Sequence, residues 1–185
     1  MTGDSAAGHT CVAPAWRDHA GEPAALRANP PATLGDLTLE EVISAMELEV
    51  RNAAQGNDLP IVIGHSVGGL VTQLMIAVAG VPISSVAPNR MLTLDWPFFK
   101  NVTTIVNPLK GDKPQLQTVE SFHASFCNTL DNAQAAVAFE TTATHDSGNV
   151  LRRCLGSAGH IDLDQAHAPM LFISGSEDRI VPAHL

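Results

Sequence analysis

The sequence predicts an α/β fold: a parallel sheet flanked by helices, with a mainly helical insertion over residues 88–163. Three observations carry that expectation. Pro60-Ile61-Val62-Ile63 is a short β-branched run bounded by turn residues, the pattern of a parallel strand covered on both faces. Stretches on either side of it carry apolar residues at helical spacing, and Pro169 to Ser174 resumes strand character near the far end. Strands separated by helices imply a parallel sheet with helices on both faces.

Taken in order, Cys11-Val12-Ala13-Pro14 follows Gly8 and reads as a strand feeding a loop. Residues 15–35 hold Gly21, Pro23, Pro30, Pro31 and Gly35, so little regular structure is expected there. Thr38 followed by Glu41 is a capping box, in which hydroxyl and carboxylate satisfy orphan backbone amides reciprocally. Leu39, Val42, Ile43, Met46, Val50 and Ala53 then recur along one helical face, ended by Gly56 and Asn57. After Ile63, a second stripe runs through Leu70, Val71, Leu74, Met75 and Val78, ended by Gly80 and Pro82. Ile83 to Ala87 is the third strand candidate. Pro88 to about Leu163 breaks the rhythm, with helical stretches near Val119 to Leu130 and Asn132 to Thr142. That segment reads as a cap-like insertion over one end of the sheet, within a single domain of residues 1–185.

Composition excludes several classes. The formal net charge of -9, from 19 acids against 10 bases, is the wrong sign for a phosphate backbone, so no nucleic-acid partner is expected. No apolar stretch approaches the roughly 20 residues of a membrane span. Cys11, Cys127 and Cys154 are too scattered for a disulfide framework or a metal cluster and read as reduced, partly buried thiols. Met1 to His9 lacks a basic segment followed by an apolar run. A cytoplasmic protein without metal or cofactor is the expectation.

The chemistry concentrates at Gly64-His65-Ser66-Val67-Gly68-Gly69. A serine hydroxyl is a poor nucleophile at neutral pH and must be aimed and given a base. A sharp strand-to-helix turn does the aiming, with small residues two positions away on each side so that strand and helix can approach. A β-branched strand stops at Gly64 and an apolar helix starts just after Ser66, which is the context the pattern requires. That helix start also places the Val67 amide where negative charge develops on a substrate oxygen. Ser66 is thus the candidate nucleophile and Val67 the candidate oxyanion donor. His65 is expected to line or support the pocket.

With these residues the chain resembles the α/β-hydrolase superfamily, and within it the esterase and lipase branch. Gly8 to Pro14 resembles the strand before the capped helix, Ile61 to Gly69 the nucleophile strand and elbow, and Pro88 to Leu163 the variable cap. Leu171-Phe172-Ile173-Ser174-Gly175-Ser176-Glu177-Asp178-Arg179-Ile180-Val181-Pro182 resembles the strand and loop bearing the triad acid. The resemblance therefore implies Asp178 as catalytic acid, with Asp95 in reserve. It also implies a small-molecule ester substrate cleaved through an acyl-enzyme on Ser66.

Two parts of the family pattern have no counterpart. The triad histidine follows the acid on a loop after another strand, whereas the histidine beyond Asp178 here is His184, six residues on. Among the earlier histidines, His145 and His160 are the nearest substitutes. An apolar strand ending in His-Gly, whose loop gives the second oxyanion amide, is matched by nothing in Met1 to Thr10. The chain therefore reads as truncated at both ends. Its sheet would either be gapped or pair Cys11–Pro14 directly with Pro60–Ile63, and open edges would invite a homo-oligomer. Weak turnover is expected, and the alternative is a non-catalytic ligand-binding or interaction module on a hydrolase scaffold.

Overall fold

The computed structural model describes residues 2–4, 7–54, 58–75, 77–88, 112–164 and 166–183. Asp95 and His184 lie outside the described residues.

The central sheet begins with β3, Ile61–His65, which pairs in parallel with β4, Ala79–Ile83, from Ile61 opposite Ala79 to His65 opposite Ile83. The segment around Met170 and Ile173 extends the sheet in parallel on the far side of β4. Gly80 N–H donates to the Pro169 carbonyl at 2.9 Å, Leu171 N–H to Gly80 at 2.9 Å, and Ile173 N–H to Pro82 at 3.0 Å. The third strand thus occupies Ala79–Ile83 rather than Ile83 to Ala87, and Gly80 and Pro82 lie within it rather than ending a helix. Pro82 keeps its carbonyl in the ladder and loses only its own donor. Gly80 makes room for Met170, whose sulfur would overlap a Cβ there.

Helix α3, Val67–Leu74, crosses from β3 to β4. Helix α2, Leu39–Ala53, begins at the capping box: Thr38 Oγ1 accepts from Glu41 N–H at 3.3 Å, and Glu41 Oε2 accepts from Thr38 N–H at 2.8 Å. Leu39 and Val42 of α2 meet Leu70 and Val71 of α3 in the core. Val150 and Cys154, from α6 at Gly148–Cys154, complete that contact.

This core lies on one face of the sheet. On the other, Ile61 is 61% exposed, Ile63 66% and Leu171 60%, so the expectation that β3 is covered on both faces does not hold among the described residues. The unbroken apolar run could not reveal this, because alternate residues of any such strand look equally ready for burial.

Thr10–Val12 (β2) pairs antiparallel with Thr2–Asp4 (β1), Thr2 opposite Val12. The early strand therefore does not pair with β3, whose ladder among the described strands runs to β4 alone, since a local hairpin partner takes up its backbone. Pro23 starts a short helix, α1, Pro23–Ala28, instead of breaking structure, because the first helical position needs no N–H donor. The predicted helices of the insertion form as α4, Val119–Phe126, and α5, Asn132–Thr142, capped by Thr118 and Asp131. A two-residue ladder joins β5, Pro114–Gln115, to β6, Asp146–Ser147.

Candidate active site

Ser66 sits where β3 turns into α3, as the N-cap of that helix, with φ 55° and ψ −118°. A non-glycine residue in this region is strained and persists only where its surroundings hold it. Ser66 N–H donates to the Ile83 carbonyl at 3.0 Å, and the Ser66 carbonyl accepts from Gly69 N–H at 3.0 Å and Val86 N–H at 3.1 Å. The backbone of the candidate nucleophile is thus tied to its own helix and to the end of β4.

The glycines contribute unequally. A Cβ on Gly64 would overlap the Gly68 carbonyl oxygen, and one on Gly69 would stand 2.7 Å from Ser85 Cβ, whereas one on Gly68 would meet nothing within 4 Å. Val67 is the first residue of α3, where backbone amides have no carbonyl one turn earlier in the helix to bind.

A cavity of about 250 Å³ opens onto Ser66, Val67 and His65, as expected for His65. Trp16 forms one side, Phe126 and Leu151 another, and Ile180 and Val181 a third. Cys154 also lines it; burial pushes its thiol pKa up to about 12, so it remains a neutral, weakly polar wall.

Asp178 does not itself line the cavity, although its neighbours Ile180 and Val181 do. Its Oδ1 accepts from Ile180 N–H at 2.8 Å and Val181 N–H at 2.9 Å, which fixes the loop that carries those two wall residues. His145 and His160 also lie outside the cavity lining.

A different histidine and carboxylate meet at its edge. Asp146 lines the cavity, and its Oδ1 stands 3.7 Å from His19 Nε2. His19 Nδ1 donates to the Arg17 carbonyl at 3.0 Å, so the ring is held on both sides. The Asp146 side chain keeps 58% of its surface exposed, yet crowding by its surroundings raises its pKa against the pull of His19 and the Ser147 amide. Neither residue carried a sequence signal, because the loop and the ladder that bring them together are irregular and far apart in the chain.

Among the described residues no cluster of histidine, cysteine or carboxylate side chains could hold a metal ion. No described helix is long and apolar enough to cross a membrane. No curated protein and no solved structure matches the chain. The model of the alpha/beta hydrolase family matches residues 2–185, and the chain belongs to that family.

Proposed function

We propose that this hydrolase acts on carboxylic esters through an acyl-enzyme on Ser66, with the Val67 amide as oxyanion donor. The observation that carries the reading is the strained Ser66 backbone at the head of α3, opening into an apolar cavity. A carbonyl carbon brought there would meet the hydroxyl while its oxygen approached the helix N-terminus. At about 30 Å³ per water-sized group, the cavity of about 250 Å³ suits an acyl group of about eight heavy atoms.

Asp178 is the proposed acid. Its anchored Oδ1 turns the second oxygen into the atom that would orient an imidazole. Phe126, Val150 and Leu151, which cover the cavity, support reading residues 88–163 as a cap within one domain. The three free cysteines support a reducing, cytoplasmic setting. The exposed Leu171, Phe172 and Ile173 support pairing of two chains along that side of the sheet.

The test is covalent labelling of the purified chain with a fluorophosphonate. Slow labelling at Ser66, abolished in Ser66→Ala, is the expected result, because His65, adjacent to Ser66 in the turn, is the one imidazole among the described residues that line the cavity. Absence of labelling at Ser66 after prolonged exposure would overturn the reading in favour of a non-catalytic binding module.

A further inference from the structure

We propose that the Ser66 cavity selects esters carrying a compact quaternary ammonium group, recognised by the rings of Trp16 and Phe126 and the carboxylate of Asp146. All three residues line the cavity of about 250 Å³ together with Ser66. Asp146 is the one carboxylate in that lining, and neither lysine nor arginine joins it among the described residues. An otherwise apolar cavity with a single negative wall attracts a cation and disfavours an anion. The formal net charge of -9 adds a long-range pull of the same sign.

The groups are held in place and remain accessible. The Trp16 ring meets the His19 ring edge to face, with centroids 5.9 Å apart, and His19 Nε2 stands 3.7 Å from Asp146 Oδ1. His19 thus ties the aromatic wall to the acidic one. Asp146 Oδ1 also accepts from Ser147 N–H at 2.7 Å, while the side chain keeps 58% of its surface exposed. Phe126 is 44% exposed and rests on Phe122, with ring centroids 5.3 Å apart. A cation over an aromatic face is attracted by the ring quadrupole, and the carboxylate adds a full charge. Desolvation by its surroundings raises the Asp146 pKa against the pull of His19 and the Ser147 amide, so a ligand cation would stabilise the ionised form where it stands.

The same lining decides which kind of cation fits. A primary ammonium brings three N–H donors that each need an acceptor, whereas most of the wall is aliphatic, as at Val86, Val150 and Leu151. A quaternary ammonium has no N–H to satisfy and presents methyl groups to those side chains. That such esters are substrates rests on the Ser66 reading; the selection itself is a matter of binding. The experiment is calorimetric titration of the full chain at pH 8, where imidazoles are neutral, with two ethers that cannot be hydrolysed. They are (2-methoxyethyl)trimethylammonium and its carbon isostere 1-methoxy-3,3-dimethylbutane, which has the same shape and no charge. The cation should bind about fivefold more tightly, although the isostere is the more hydrophobic of the two. Asp146→Asn, which keeps the acceptor for Ser147 N–H, should bring the two within about twofold. Phe126→Leu, which keeps an apolar wall and removes the ring, should lower the preference by about half and serves as the second variant should the asparagine disturb folding.

Binding of neither ether at millimolar concentration, an isostere as tight as the cation, or a full preference surviving in either folded variant would overturn the selection. Fluorophosphonate labelling run in parallel separates the two readings. Saturating cation should slow the labelling of Ser66, and labelling at an unchanged rate would put the cation elsewhere and overturn the proposal. Labelling without preference for the cation removes the selection alone, and preference without labelling supports the cation site while removing the nucleophile.

Discussion

Gly64 lies against Gly68 across the Ser66 turn so closely that a Cβ on Gly64 would overlap the Gly68 carbonyl oxygen and Thr72 Oγ1. The overlap is with backbone and with a hydroxyl that already donates to that same carbonyl at 2.8 Å, so nothing there can swing aside. Gly64→Ala should cost about 1–3 kcal/mol and lower fluorophosphonate labelling of Ser66 at least tenfold. Gly68→Ala should label like the unmodified chain and gain up to about 1 kcal/mol from helix propensity. Denaturant titration and intact-mass labelling measure both. Equal behaviour of the two alanines would refute this account of the turn.

Arg27 is a second point of dependence. Its guanidinium donates to the Phe139 carbonyl at 3.3 Å, to Ala143 at 2.8 Å and to Glu140 at 2.8 Å, and pairs with Glu140 Oε2 at 2.6 Å. These carbonyls close the C-terminus of α5, where a cation also meets the negative end of the helix dipole. The side chain is 12% exposed, so solvent cannot readily take over these bonds. Arg27→Ala should lower stability by about 2 kcal/mol. Arg27→Lys should restore less than half of that, because an ammonium cannot reproduce the planar fork. Thermal and denaturant unfolding decide it, and a lysine variant equal to the unmodified chain would reject the fork geometry.

What the sequence disclosed follows from how local each signal is. The Thr38–Glu41 box and the Ser66 turn are written in contiguous residues, and both stand where they were expected. The Ala79–Ile83 strand was hidden because Gly80 and Pro82 look like punctuation until the packing of Met170 on Gly80 and the ladder carbonyl of Pro82 are known. Thr10–Val12 was legible as a strand, but its partner was not, since pairing with Thr2–Asp4 depends on a short hairpin of weakly patterned residues. The His19–Asp146 contact joins residues separated by most of the chain. Residue spacing does not encode such long-range contacts.

His145 gives the pH dependence a sign. Burial lowers its pKa from the ordinary 6.5, so over the window just below 6.5 the unfolded chain binds a proton that the folded chain does not. Stability then rises with pH through that window and is lost as pH falls from 6.5 through the folded value. Denaturant midpoints measured from pH 8 to pH 5 should fall more steeply for the unmodified chain than for His145→Gln. Parallel curves would reject a partly buried, neutral imidazole.

The thiols should divide by burial. Cys11 is exposed and Cys154 buried. The Cys154 pKa near 12 leaves almost no thiolate at neutral pH, and thiolate is the species that alkylates. Its Sγ also donates to the Val150 carbonyl at 3.3 Å within α6. Brief iodoacetamide treatment at pH 7.5 should therefore modify Cys11 and spare Cys154 until denaturant is added, as read by peptide mass spectrometry. Because Cys154 also lines the Ser66 cavity, Cys154→Ser tests the wall separately from the reactivity. Serine places a stronger polar group among apolar neighbours and should cost about 1–3 kcal/mol, while Cys154→Ala should cost less and leave Ser66 labelling unchanged. Rapid native alkylation of Cys154 would mean that α6 opens readily, and with it the wall that encloses the candidate nucleophile.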